Sequence, residues 1–309
     1  MTAGTGGLAV AVPARPRHPG FLSMRHPTPA ALLVLPACIL VAACLILPLA
    51  FVLAFSFNPA RPGEIELTGE LTIANYWRFF ASPFYWKILG KTVYLSATTT
   101  AICAAFGTVL ALAIWRAPAS RRGLIVIVVL SPLLVSIVTR TFGWMVVLGD
   151  NGLINAILIG TGIVGQPLQL MFTNSAVIVG LVHVFLPIMV LPIVTALERI
   201  DPAVPEAAGT LGAGPATVAF RIVLPLASPG LIAGITIVFS LAMSSYVTPA
   251  LMGGPDSGVL TTLIYQQFVV TFNWQFGAVL VAILLATSLL AVGVTFFEFG
   301  RRSRAWMSR

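Results

Sequence analysis

Glu198-Arg199-Ile200-Asp201-Pro202-Ala203-Val204-Pro205-Glu206-Ala207-Ala208-Gly209-Thr210-Leu211-Gly212-Ala213-Gly214-Pro215 is the stretch on which the reading of this chain turns. Asp201 followed by Pro202 pairs an N-cap with a first-turn proline, which opens a helix. Glu206, Ala207, Ala208 and Leu211 favour its continuation, and Gly212 with Gly214 stops it. A second short helix is predicted from Pro215 through Val218, Phe220 and Arg221 toward Pro225. This helix–turn–helix is longer and more helical than a plain connector requires. Its small residues let a neighbour approach closely, so it reads as a docking element.

Outward from this segment the chain is apolar on both sides. Of 309 residues, 58% are hydrophobic and only 8% charged, with mean hydropathy +1.01. A water-facing surface needs roughly 25% charged residues, so a soluble domain and a disordered chain are both excluded. Six runs are long enough to cross a bilayer as helices. They are 30–57, 92–115, 124–148, 175–197, 230–252 and 277–299, with Pro132, Pro187, Pro192 and Pro249 expected to kink rather than forbid them. The fold class is therefore all-α, a polytopic membrane protein of six transmembrane helices.

The basic residues set an expected orientation. Twelve of the 17 Lys and Arg fall on the segments that face inward if the N-terminus is inside. Only Arg61, Arg78, Lys87 and Lys91 fall outside, and Arg140 lies within the third span. Both termini are thus expected in the cytoplasm. The +8 formal charge does not signal nucleic acid, because the cations flank apolar runs and only two are lysines. The layout expected is a basic leader (1–29), an N-terminal span (30–57), an extracytoplasmic loop (58–91), a core (92–299) and a cytoplasmic tail (300–309). Leu40-Val41-Ala42-Ala43-Cys44 looks like a lipoprotein processing site, but the apolar run continues past it. An uncleaved signal-anchor helix is the expectation.

Motifs of catalysis fail on context. Gly160-Thr161-Gly162-Ile163-Val164-Gly165 matches a dinucleotide loop, yet it follows a membrane helix and no acid lies about twenty positions on. Gly90-Lys91-Thr92 ends like a phosphate loop, but Tyr85 stands where its first glycine belongs. Cys38, Cys44 and Cys103 sit in apolar runs without metal spacing. No nucleophile–base set and no pair of carboxylates lies deep in a span, so no catalytic residue, metal or cofactor is assigned.

Glu206-Ala207-Ala208, three residues, Gly212, nine residues, then Ile222-Val223-Leu224-Pro225 resembles the EAA loop of binding-protein-dependent ABC importer permeases. The likeness extends over about 86–299 and implies a MetI-like core of five helices, preceded here by an extra N-terminal helix. It implies that loop 198–228 couples to a separate ABC ATPase: Glu206 would contact it, Ala207 and Ala208 would allow close packing, and Gly212 would make the turn, with Leu211 and Pro225 completing the element. The implied partners are two ATPase subunits, a second permease subunit, an extracytoplasmic substrate-binding protein and a small solute, in the bacterial inner membrane. Arg140-Thr141-Phe142-Gly143-Trp144, 149–155, 171–176 and 246–255 are most similar to the spermidine/putrescine branch. Many members of that branch carry an acid where this chain has Ser244-Ser245-Tyr246.

Candidate path residues are Arg140, Asp150, His183, Ser245 and Tyr246. Arg140 is either a structural arginine held by Asp150 or by carbonyls, or a gate in the path. His183 is either a polar residue packed between helices or a path residue. A self-contained secondary carrier or channel is the competing class. It calls for midplane ionisable groups and an internal repeat, and neither is visible.

Overall fold

The computed structural model describes residues 29–59, 61, 63–64, 70–254 and 257–307. Arg15, Arg17, Arg25 and the rest of the leader, part of the 58–91 loop, Pro255 and Arg309 lie outside the described residues. Among the described residues the structure is helical, with no strand.

In chain order the helices are α1 (Pro29–Ser56), α2 (Ala74–Ala81), α3 (Pro83–Arg116), α4 (Ala119–Leu130), α5 (Ile137–Leu148), α6 (Leu153–Gly160) and α7 (Asn174–Leu197). They continue as α8 (Ala203–Thr210), α9 (Pro215–Val218), α10 (Leu224–Leu226), α11 (Ser228–Met243), α12 (Val247–Met252), α13 (Leu260–Tyr265) and α14 (Trp274–Met307). A 3-10 turn (Ser131–Leu134) joins α4 to α5, and π turns follow α9 (Ala219–Val223) and α13 (Gln266–Val270). The chain divides into two units after Ala50, and α1, an apolar helix of spanning length, begins in the first and ends in the second. Five helices are long and apolar enough to cross a membrane, and six if the bent pair Pro215–Leu226 and Ser228–Met243 counts as one span.

Two expected spans are broken, and proline chemistry explains both. The run 124–148 is interrupted at 131–136, and the apolar helical stretch of spanning length is instead 137–160. Pro132 has no N–H to offer the carbonyl of Val128 four residues earlier. Ser131 Oγ donates to that oxygen instead, at 2.9 Å. The run 230–252 stops at Met243 and resumes at Val247. Pro249 likewise cannot donate to the carbonyl of Ser245, which accepts from Thr261 Oγ1 of α13 at 2.7 Å. By contrast Pro187 and Pro192 lie inside an unbroken α7.

Other boundaries are longer than the apolar runs. α3 starts nine residues before Thr92, with Pro83 in its first turn, and α14 continues as helix to Met307, past the expected end at Phe299. At ~1.5 Å per residue, 34 residues reach about 51 Å, well beyond a hydrocarbon core of ~30 Å. Charge ends an apolar run without ending a helix.

α3, α7 and α11 pack on one another around Leu95, Cys103, Ile114, Leu181, Met189, Val190, Ile193 and Val238. Small residues set this contact, as expected where lipid removes any hydrophobic advantage between helices. A Cβ at Gly230 would lie 2.4 Å from the Pro192 carbonyl oxygen, and one at Gly234 would lie 2.6 Å from Met189 Sδ. Gly230-Leu231-Ile232-Ala233-Gly234 is thus a small-xxx-small face against α7. A second cluster joins Phe79, Leu89, Leu260, Phe276 and Leu280 from α2, α3, α13 and α14. There the Arg78 guanidinium lies 4.6 Å above the Phe276 ring.

Candidate functional site

The segment after α7 folds by local rules. Asp201 Oδ1 accepts the Ala203 N–H at 2.9 Å, and Glu206 N–H donates to the Pro202 carbonyl at 3.3 Å, so the Asp-Pro pair opens α8. At the other end Ala213 N–H donates to Ala208 O, and Gly212 N–H to Gly209 O, both at 3.0 Å. That double bond pattern is a Schellman cap, and it requires the left-handed residue that Gly212 supplies at φ +83°. The requirement at Gly212 is backbone only: nothing within 4 Å would meet a Cβ there.

α8 buries no residue fully. Glu206 and Ala207 are exposed, Leu211 is 88% exposed, and Ala208 and Ala213 turn back onto the core. The segment is nevertheless anchored. Arg122, in the first turn of α4, makes an ion pair with Glu198 at the end of α7. Arg116, at the end of α3, donates from Nη2 to the Pro215 carbonyl at 3.2 Å. Pro225 is half-buried in α10, just before a 66° bend at Ala227. Pro225 and Pro229 both lack an N–H, so the helix cannot run straight through this point.

The candidate path residues separate into three places. Arg140 and His183 line one cavity of about 490 Å³ with Pro132, Val135 and Trp144, beside the break between α4 and α5. Arg140 Nη2 donates to the Val135 carbonyl at 2.6 Å, and its Nε and Nη1 are enclosed without a partner among the described residues. Of its two expected structural partners, the carbonyl holds it; no ion pair joins it to Asp150. Trp144 Nε1–H donates to His183 Nδ1 at 3.0 Å, which leaves Nε2 to carry the imidazole proton. Asp150 lines a different cavity, with Gln166, Gln169 and Phe172. Ser245 and Tyr246 line neither; they occupy the gap between α11 and α12, where Tyr246 stacks on Tyr265 at 4.8 Å.

Residues that sequence reasoning did not single out complete these places. Trp144 orients His183, Thr261 satisfies Ser245, and Asn155, fully buried in α6, bonds the backbone of Gly149 and Leu168. Only the proline four residues after a serine carbonyl could have pointed to Thr261. Among the described residues, no group of three or more His, Cys, Asp or Glu comes together as a metal site.

Spanning helices with proline-broken segments, an exposed capped helix and small-residue packing between spans are the architecture of a polytopic membrane protein. Residues 119–299 match the family described as binding-protein-dependent transport system inner membrane component, and the chain belongs to that family. It is 34% identical over 233 residues to the spermidine/putrescine transport system permease protein PotB of Haemophilus influenzae, covering 75% of this chain and 81% of the relative. It is 32% identical to PotB of Escherichia coli K12, covering 75% and 83%. Its fold is similar to a chain of a solved bacterial ABC transporter involved in the import of the acidic polysaccharide alginate. There the TM-score is 0.74 at 18% identity, over 88% of this chain and 95% of that one. Membership sets it apart from self-contained carriers: it is a permease subunit of an ABC importer, a transport component and not an enzyme.

Proposed function

We propose that this permease translocates a small organic cation of the polyamine type, with loop 198–228 as the coupling element for a separate ATPase. Both termini are cytoplasmic, so 1–29, the loop and the tail 300–309 face the ATPase side, and 58–91 faces the opposite one. The complex contains a second permease subunit, two ATPase subunits and an extracytoplasmic binding protein that delivers the solute. Closure of the ATPases pushes the coupling helices and switches the path between core helices of 92–299 from inward- to outward-open. Arg140, Asp150, His183, Ser245 and Tyr246 are the path residues. The cation is inferred from the polyamine names of the relatives; the orientation is supported by the arginine bias. An exported reporter that is active after Arg309 overturns the orientation.

The observation that carries the coupling role is α8 itself. Its ends are fixed by Asp201 and Gly212, its back by Ala208 and Ala213, and its remaining face leaves the side chains of Glu206, Ala207 and Leu211 exposed. A carboxylate there can pair with a basic group of the ATPase, and truncation or reversal of a desolvated pair costs several kcal/mol, about 2–5. If Glu206 only favoured its own helix end, the effect would stay within ~0.3–1 kcal/mol. Glu206→Lys is expected to release the ATPase in a pull-down while the binding protein still captures solute. A Lys variant that retains its ATPase and imports at the normal rate removes α8 from coupling.

A further inference from the structure

Asp150 is the sole acidic residue between Glu70 and Glu198, and the structure sets it in a prepared surround. It follows α5 and lines a cavity of about 500 Å³ together with Met145, Gln166, Gln169 and Phe172. Among the described residues its carboxylate makes no hydrogen bond and no ion pair, and the two glutamine side chains make none either. The backbone segments that carry these groups are tied together by Asn155, which has no exposed surface. Asn155 Nδ2 donates to the Gly149 carbonyl at 3.2 Å and to the Leu168 carbonyl at 2.9 Å, and its Oδ1 accepts the Leu168 N–H at 2.9 Å. Gly149 precedes Asp150, and Leu168 stands between Gln166 and Gln169. Phe172 is also pinned: its φ is +60°, unusual for a bulky residue. A Cβ at Gly254 would lie 2.3 Å from its carbonyl oxygen, so only glycine fits beside it.

A free carboxylate, two amide oxygens and an aromatic ring around one cavity suit an alkylammonium group. The carboxylate matches its charge, the amides accept its N–H donors, and the ring face attracts the cation. An anionic solute would be repelled. A neutral sugar could use the amides and the ring but would leave the carboxylate idle. α7 separates this cavity from Glu198 by 24 residues of helix, about 36 Å at ~1.5 Å per residue, so the two lie at opposite ends of the span. We infer that this cavity is a vestibule site in which Asp150, Gln166, Gln169 and Phe172 receive the ammonium end of a solute released by the binding protein. The inference rests on the orientation and importer reading above.

The test uses the full complex in proteoliposomes with spermidine as probe. Esterification of Asp150 by a diazo reagent, which needs no added amine, is mapped by mass spectrometry with and without spermidine, and Glu70, exposed and outside the cavity, serves as the internal control. Protection of Asp150 but not of Glu70 supports the site, and equal labelling of Asp150 with and without spermidine overturns it. In uptake, Asp150→Asn is expected to raise the half-saturating concentration on the order of tenfold, with Asp150→Glu retaining most of the rate. An Asn variant indistinguishable from wild type overturns the site while leaving the importer reading intact. A wild-type complex with no ATP-dependent uptake of any solute points instead to failure of the importer reading, because the labelling result is scored without transport.

Discussion

α8 with its two ends, and the junction of α5, α6 and α7, take their shapes from bonds of very different reach. The Asp201 cap spans two residues, and the Gly212 turn closes within α8 itself. At the opposite end of α7, Asn155 reaches thirteen residues to Leu168, and Ser257 reaches 83 residues to Asn174 Oδ1. The first region keeps a definite form while leaving one face bare, which suits a surface that a partner covers. The second is braced by bonds that join separate segments of the chain, which suits a site that must hold its groups apart for a small solute. Local bonding yields an element that moves as a unit; long-range bonding yields a fixed frame.

The comparison breaks most readily at Asn155. Asn155→Leu removes three bonds and leaves the Leu168 N–H without a partner, while the Gly149 and Leu168 carbonyls keep the N–H groups of Gly152 and Leu170. With roughly 1–3 kcal/mol for the donor left unsatisfied and about 0.5–1.5 kcal/mol for each of the other two bonds lost, the destabilisation should be on the order of 3 kcal/mol. Thermal unfolding of the purified complex should show it, with fast amide exchange at Leu168, while the ATPase still co-purifies. An unchanged transition would mean that the frame does not depend on the clamp.

That asymmetry also governs what the sequence disclosed. The α8 helix, its cap and its turn were legible because each depends on residues a few positions apart, and the six apolar runs were legible because lipid demands them. The role of Asn155 was not, although the residue lay in a stretch similar to a known branch, since a lone asparagine after a turn says nothing about the backbone thirteen residues on. The breaks at 131–136 and 244–246 were half legible. Pro132 and Pro249 announced a disturbance, but whether a proline kinks or ends a helix depends on which group takes the freed carbonyl. Ser131 and Thr261 do so here, while Pro187 and Pro192 stay within α7. Arg140 and His183 share a cavity only because that break places α5 beside α7.

A smaller effect is expected at Gly212, where the comparison can be sharpened. The left-handed backbone costs an L-residue about 1–2 kcal/mol, and less for asparagine. Open space around the position means that Gly212→Ala and Gly212→Trp should destabilise the isolated chain alike, and Gly212→Asn less. In the assembled transporter the series should split. Ala should keep most uptake, whereas Trp should abolish it by standing between α8 and its partner. Equal uptake by the Ala and Trp variants in vesicles would leave α8 with no covered face.

The smallest effect on stability is expected at Arg122 and Glu198. Their side chains are 33% and 49% exposed, and exposed pairs contribute about 0.2–1 kcal/mol, so Arg122→Ala should shift the unfolding transition little. Its effect should fall on coupling, because this pair and the bond from Arg116 to Pro215 are the named polar ties between the α3–α4 corner and the loop. Reversal should be worse than truncation, and unequal between partners. Glu198→Arg adds a cation beside Arg199 and opposite Arg121 and Arg122, while Arg122→Glu leaves Arg121 to offset part of the change. The double exchange should therefore recover solute imported per ATP hydrolysed only in part, and raised salt should narrow the gap between single variants. If Arg122→Ala instead lowers the unfolding transition as far as Asn155→Leu, the loop is braced from within as firmly as the vestibule, and the contrast between the two ends of α7 disappears.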